Sequence, residues 1–251
     1  MAIIAPRRRQ FDLYDNIDFI AKRISFGIET YIIYENWILG ADKLPPTDEK
    51  IASVIEKTRK ESPEGAPIIL DIEHWNFHFV QSAREDLIRI MVKFKEAFPN
   101  RVFGNYSITP WRHSDAALSP IGSTLRTTWI KGNDDVTSIA QEANTLFPSL
   151  YTLTKSQSEW EVFAVEMIKE ARRYPGNKKI IPFLWPMYHD SMKDHSNTFI
   201  DEDFWRHQLM TCLRIADGAI LWHNWTFPRQ VWDYNFPFVK PTLDFVQKYV
   251  K

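Results

Sequence analysis

Cysteine and metal-binding patterns are nearly absent from the 251-residue sequence. Cys212 is the only cysteine, so an internal disulfide and a thiolate metal site are both excluded. It follows Leu209 at helical spacing, which predicts a buried, inert thiol. We interpret the seven histidines as scattered surface or core residues rather than zinc ligands. We therefore predict no metal and no cofactor.

The sequence also lacks a charge excess and a long hydrophobic run. Its formal net charge of −1 favours neither nucleic acid nor an anionic membrane as a partner. No apolar run approaches the roughly 18 residues of a membrane span. The first ten residues place their arginines after a very short apolar stretch, the reverse of a secretory signal. We expect a cytoplasmic protein, or one whose leader has been removed; the sequence leaves the oligomeric state open.

Aromatic residues, by contrast, are abundant: they make up 14% of the chain and include ten tryptophans. Such an excess is typical of a thick core, of an interface, or of a groove that holds the flat apolar faces of sugar rings. Tyrosine and tryptophan suit the last role because each offers an apolar face with a polar edge. Composition leaves the three interpretations open.

Strand and helix patterns alternate at least five times along the chain, which predicts right-handed βαβ units and a parallel sheet. We predict an α/β fold with a single TIM-like (β/α)7–8 barrel domain over residues 1–251. The alternative is a doubly wound open sheet, but no G-x-G-x-x-G or Walker loop follows any strand. A barrel has its active face at the carboxyl ends of its strands, and polar or aromatic residues recur there: Glu73, Tyr106, Tyr151, Tyr188 and Trp222.

Three local patterns predict where individual elements begin or end. Ser82 with Glu85 has the spacing of a capping box at the start of a helix. Residues 179–185 predict one continuous strand. Gly218 predicts the C′ position of the helix that carries Cys212.

The stretch that most clearly indicates chemistry is residues 67–75, where an apolar strand run meets two carboxylates. Asp71 and Glu73 lie two residues apart, so in a strand both side chains point to the same face. Such close carboxylates cannot both ionise freely, so the pKa of one should rise. That carboxyl group would then retain a proton for general acid catalysis. The competing interpretation is that Asp71 caps the next helix and Glu73 pairs with a surface Lys or Arg. Glu35, after another apolar strand run, is a candidate second carboxylate of the same cleft.

Four strand-end motifs together resemble the hyaluronidase family of glycoside hydrolases. Residues 71–75 (DIEHW) resemble its Asp-x-Glu acid motif, and residues 146–151 (LFPSLY) match its Pro-Ser-x-Tyr strand. Residues 181–188 (IPFLWPMY) and 218–222 (GAILW) are similar to its Pro-containing aromatic strand and its late Gly-to-Trp strand. The chain departs from the family at Ile72, which is often aromatic, at His223, which replaces a common glycine, and in lacking paired cysteines.

The resemblance implies a retaining, substrate-assisted hydrolase of β-linked N-acetylhexosamine glycans. It implies that Glu73 is the general acid and then base, that Asp71 orients the substrate acetamido group, and that Tyr151 hydrogen-bonds this group. It also implies a glycan cleft lined by aromatic side chains, namely Trp75, Tyr106, Trp185, Tyr188 and Trp222. The net charge of −1 lacks the basic excess expected for a polyanion such as hyaluronan, so the reaction type is better supported than the substrate.

Other interpretations of the same residues stay open. Muramidases and chitinases also use Asp-x-Glu, although the chitinase signature Asp-x-x-Asp-x-Asp-x-Glu would require aspartates where Ala66 and Ile69 stand. A glycan-binding barrel without catalysis is a third possibility, against which the intact carboxylate pair counts. Core packing alone would also explain Trp185 and Trp222.

Overall fold

The computed structural model describes residues 11–223 and 229–250, in which strands alternate with helices. The strands are β1 (Asp12–Asn16), β2 (Tyr31–Tyr34), β3 (Ile68–Asp71), β4 (Phe103–Asn105), β5 (Thr145–Leu146), β6 (Lys179–Ile180), β7 (Phe183–Leu184) and β8 (Gly218–Trp222). The helices are α1 (Glu35–Ile38), α2 (Asp48–Glu61), α3 (Gln81–Ala97), α4 (Ser114–Leu118), α5 (Thr124–Asp135), α6 (Thr137–Glu142), α7 (Gln157–Arg172), α8 (Glu202–Ile215) and α9 (Val239–Tyr249).

The strands pair in parallel and form three small sheets, in the orders β1-β8-β7, β2-β3-β4 and β5-β6. Isolated parallel bridges lie between them, at Tyr14–Ile28, Tyr106–Phe147 and Ser149–Phe183. The α/β class is therefore confirmed, but within the described residues the ladders do not close into one continuous barrel sheet. That the whole chain is one domain stays a prediction.

Proline interrupts the ladders where the sequence predicts longer strands. Pro182 separates β6 from β7, so the strand expected over residues 179–185 is split in two. Proline has no N–H to donate to a neighbouring strand. The Pro182 carbonyl still accepts the N–H of Ile220 at 2.8 Å, which keeps this segment beside β8.

Side chains cap several helix N-termini, but not that of α3. Thr47, Ser156 and Asp201 cap α2, α7 and α8, because each side chain accepts the backbone N–H three residues ahead. The capping box expected at Ser82 is wrong: α3 already begins at Gln81, and its N-cap residue has no side-chain hydrogen bond. None of the helices in the described ranges is long and apolar enough to cross a membrane.

Two apolar clusters fill the molecule, and the two-residue period of the strands separates them. Ile69 of β3 belongs to the inner cluster, whereas its neighbours Ile68 and Leu70 pack in the outer cluster against the helices. Cys212 lies in the outer cluster, and burial raises the pKa of its thiol to about 12, as expected of an inert cysteine. The remaining inner residues are largely aromatic or β-branched: Tyr14, Ile32, Tyr106, Phe147, Tyr151, Ile181, Phe183, Trp185, Met187 and Ile220.

Gly218 has a different role from the one its sequence context predicts. It is the first residue of β8 rather than the C′ residue of a helix, since α8 ends at Ile215. A Cβ at this position would lie 2.2 Å from the carbonyl oxygen of Asp12 in β1. Glycine is therefore required by the close approach of two strands.

Candidate active site

Asp71 is the last residue of β3, on the same face as Ile69, and its side chain is half-buried. Burial, reinforced by the negative charges of Glu73 and Glu35, raises its pKa to about 7, against a smaller opposing effect of Arg112. Its Oδ1 atom is buried, and no donor in the described part of the chain bonds to it. Asp71 can therefore carry a proton near neutral pH.

Glu73 lies two residues further on and is exposed in the cleft. Surrounding protein atoms still displace water from its carboxyl, which raises the pKa of Glu73; Arg112 opposes this rise and Glu35 adds to it. The competing interpretation of the pair receives no support. Asp71 does not cap α3, and no Lys or Arg in residues 11–223 or 229–250 forms an ion pair with Glu73.

Glu35, the first residue of α1, holds the backbone that carries this pair. Its Oε2 accepts the N–H groups of Glu73 and His74 at 3.2 and 3.0 Å, and its Oε1 lies 2.8 Å from the Lys43 ammonium. Burial alone would raise the pKa of Glu35, but Lys43 and the two N–H groups bring it below its usual value. The ionised Glu35 carboxylate thus holds the loop after β3 in place through its backbone N–H groups, a role that the sequence did not indicate.

Three aromatic rings predicted for the cleft pack against one another, and one of them, Trp222, lines a pocket with the pair. Tyr151 lies nearly parallel to Trp222, with 5.5 Å between ring centroids, and meets Trp185 edge-on at 5.4 Å. Tyr151 is buried, whereas Trp222 is partly open and lines the same cleft as Asp71. Burial, reinforced by Tyr106, raises the pKa of Tyr151 well above its usual value, so its hydroxyl keeps a proton to donate.

Arg112 is a site residue that no sequence pattern indicated. Its Nη1 donates to Ser149 Oγ at 3.0 Å and to the Tyr106 hydroxyl at 3.3 Å, and its guanidinium lies 5.6 Å from the centre of the Tyr151 ring. Burial raises the pKa of Tyr106 to about 12. The available signal was weak: Arg112 follows a predicted strand end, as do most groove residues.

The two remaining predicted residues lie in different places. Trp75 is half-buried, donates from Nε1 to the carbonyl of Lys43 at 2.8 Å, and lines a pocket with Glu73 and Arg112. Tyr188 instead packs in the outer cluster, 5.5 Å from the ring of His195. Every predicted site residue except Tyr188 therefore lines the groove or packs against a residue that does, although Tyr151 and Trp185 are buried and line none of the groove pockets.

Three adjoining pockets of about 320, 460 and 420 Å³ form one groove across these strand ends. Glu73 and His74 are shared by the first two pockets, and Tyr34 and Trp222 by the last two. The carboxylate pair thus lies in the middle of the groove. Within the described ranges, no group of three or more His, Cys, Asp or Glu side chains is arranged to hold a metal ion.

Comparison with known proteins shows similarity in fold. No family model and no curated protein matches the chain. Bee venom hyaluronidase is similar, with a TM-score of 0.63 and 15% identity over 95% of this chain and 96% of the other, and a structure titled as its complex with a hyaluronic acid tetramer gives the same TM-score and identity. A putative alpha-L-fucosidase from Bacteroides thetaiotaomicron is similar with a TM-score of 0.54 and 13% identity, over 99% of this chain and 98% of the other. The endo-1,4-beta-D-mannanase from Thermotoga petrophila is similar with a TM-score of 0.53 and 11% identity, over 87% of this chain and 75% of the other.

These neighbours confirm the distant hyaluronidase-like resemblance at the level of fold. The fold is one on which glycoside hydrolases of different specificity are built. Neither substrate nor mechanism follows from such low identity, and both must be argued from the site itself.

Proposed function

We propose that the protein is a retaining glycoside hydrolase that cleaves β-linked N-acetylhexosamine glycans by a substrate-assisted, hyaluronidase-like reaction. The observation that carries the proposal is the carboxylate pair, Asp71 and Glu73, in the middle of a groove, with both pKa values raised. Neighbouring carboxyl groups whose pKa values are raised keep a proton available for general acid catalysis.

We further infer that the three small sheets are arcs of one TIM-like barrel. Two of the sheets, and the residues Phe147 and Ile181 directly after β5 and β6, contribute to a single inner cluster, and isolated bridges connect neighbouring arcs. In such a barrel the groove lies at the carboxyl ends of the strands, where barrel enzymes carry their active sites.

In the proposed reaction, Glu73 protonates the glycosidic oxygen as its bond to the anomeric carbon breaks. The carbonyl oxygen of the sugar's own acetamido group attacks that carbon, which gives a cyclic oxazolinium intermediate. Glu73, now a carboxylate, takes a proton from water, and the water oxygen opens the ring with net retention. This route needs no carboxylate nucleophile, unlike most retaining glycosidases.

The other site residues support this chemistry by position and charge. Asp71 accepts the acetamido N–H and offsets the positive charge of the intermediate. Tyr151 donates its hydroxyl to the same group, and Trp222 offers a partly open ring as a wall for the sugar. Glu35 acts as a positioning residue, because it holds the backbone of Glu73 rather than the substrate.

The proposal is tested by hydrolysis assays on hyaluronan, chondroitin, chitin oligomers and peptidoglycan with wild type and Glu73→Gln. This change keeps the side-chain shape but removes the proton donor, so we expect activity on one polymer to fall by about 10²-fold or more. Glu96→Gln, on the exposed end of α3, is the matched control and should remain active. Binding without cleavage by wild type would instead support the non-catalytic glycan-binding function.

A further inference from the structure

Negative charge along the groove is a feature that the proposed reaction does not require. The three described pockets are lined by only two Lys or Arg side chains, Arg112 and Arg229. The carboxylates lining the same pockets are more numerous and are spread from one end to the other: Asp18, Glu29, Glu35, Asp71 and Glu73. The groove is therefore acidic, although the chain as a whole has a net charge of only −1.

Both arginines already have partners within the groove. Arg229 forms an ion pair with Asp18. Arg112 donates to Ser149 and Tyr106, and its charge acts on both Asp71 and Glu73. An anionic sugar that approached Arg112 would therefore also meet these two carboxyl groups.

The nearby lysines are neutralised in the same way. The Lys43 ammonium lies 2.8 Å from Glu35, and the Lys22 ammonium 2.6 Å from Asp15. Glu29, at one end of the groove, has no Lys or Arg partner in the described parts of the chain. Two histidines of the groove also add no positive charge, because burial lowers the pKa values of His78 and His223 to about 4.

We propose that this groove takes an uncharged glycan of N-acetylhexosamine units and excludes uronate-containing polymers such as hyaluronan and chondroitin. The inference rests on the proposed function of the site and specifies its substrate class. A uronate polymer carries a carboxylate on every second sugar, so any register along the groove places carboxylates against carboxylates. Such like-charge contacts are an effective means of rejecting a wrong ligand.

The direct test is calorimetric binding to Glu73→Gln, which binds without turnover. The ligands are an uncharged chitin hexasaccharide and a hyaluronan hexasaccharide. At low ionic strength we expect the chitin hexamer to bind at least roughly tenfold more tightly. Added salt should reduce the difference between the two affinities, because counter-ions screen the repulsion between the carboxylates of hyaluronan and those of the groove.

A charge-reversal variant tests whether the groove itself is responsible. In the Glu73→Gln background, Glu29→Lys should strengthen hyaluronan binding several-fold and barely change the affinity for the chitin hexamer. Glu96→Lys changes the net charge of the chain by the same amount outside the groove and is the control. It should leave both affinities where they were.

The possible failures of the two proposals can be told apart. Equal or tighter binding of hyaluronan at low salt would overturn the substrate class, while Glu73-dependent cleavage of hyaluronan by wild type would leave the proposed reaction standing. Equal effects of Glu29→Lys and Glu96→Lys on hyaluronan binding would also overturn the inference. Neither binding nor cleavage of any glycan in the panel would overturn both proposals.

Discussion

The carboxyl group of Asp71 is both the most costly and the most useful feature of the groove. It is half-buried, it faces the negative charges of Glu73 and Glu35, and no described donor satisfies its Oδ1. Such an arrangement destabilises the ionised form and so keeps a proton available near neutral pH. Sites of this kind commonly sacrifice stability for function.

The cost should be visible as a pH-dependent stability. The pKa of Asp71 is raised from 3.8 to about 7 in the folded protein. The protonated carboxyl therefore contributes favourably to the free energy of unfolding, fully below about pH 4, and this contribution is lost as the pH rises through 7. We expect Asp71→Asn to be more stable than wild type by about 1–3 kcal/mol at pH 8, and by much less at pH 4, as measured by urea unfolding. Asp194→Asn, at an exposed site, is the control. A difference that does not change with pH would contradict this account of Asp71.

Glu35 should affect both the geometry and the protonation of the acid. Its charge raises the pKa values of Asp71 and Glu73, so Glu35→Gln should lower both. Because a general acid fails once it loses its proton, the alkaline limb of the pH–rate profile should move to lower pH. Loss of the bond to Lys43 and a looser loop should also reduce kcat by roughly ten- to hundredfold. A lower kcat with an unmoved alkaline limb would reduce Glu35 to a purely structural role.

At the scale of elements, the two-residue period of the strands decides which side chains reach the groove. On β2, β3 and β8 the inward positions are Ile32, Ile69 and Ile220, and two residues later each chain presents Tyr34, Asp71 or Trp222 to the groove. An apolar layer therefore lies directly beneath the polar and aromatic layer. The same strands build the core and aim the site residues.

The fit between strands makes Gly218 a structural requirement. Since a Cβ there would lie 2.2 Å from the Asp12 carbonyl oxygen, Gly218→Ala must push β1 and β8 apart. We expect a loss of about 1–3 kcal/mol in unfolding free energy, measured with urea. Gly40→Ala is the matched control, because its added Cβ meets only the flexible side chain of Asp42 and should cost much less. Equal losses in the two variants would argue against the close approach as the cause.

At the scale of the whole molecule, sequence patterns predicted the α/β alternation and the carboxylate pair, because both depend on short-range periodicity. The two-residue spacing of Asp71 and Glu73 was enough to predict the pair, although β3 ends at Asp71 and Glu73 lies just beyond it. Sequence indicated Glu35 as a second cleft carboxylate, which lines the same pocket, but not its bond to the Glu73 backbone, and it did not indicate Arg112, because these contacts arise where loops after different strands meet. The prediction that Tyr188 lines the cleft failed because the chain turns beside it. Its N–H donates to the carbonyl of Thr198 at 2.9 Å, and its ring packs in the outer cluster.

Strand lengths were also beyond prediction from periodicity alone. Apolar runs such as residues 179–185 indicate burial, but they do not say which residues pair. That depends on where neighbouring chains offer donors, and Pro182 offers none. Short ladders joined by single bridges are the result.

Substrate-assisted retention with Glu73 as the acid is tested most directly by the stereochemistry of cleavage. Proton NMR of the first minutes of hydrolysis, on the uncharged N-acetylhexosamine oligomer or on the polymer that wild type cleaves best, reports which anomer of the new reducing end forms first. We expect the β-anomer to form first and Glu73→Gln to abolish its appearance. An α-anomer as the first product, or cleavage that persists in Glu73→Gln, would contradict it.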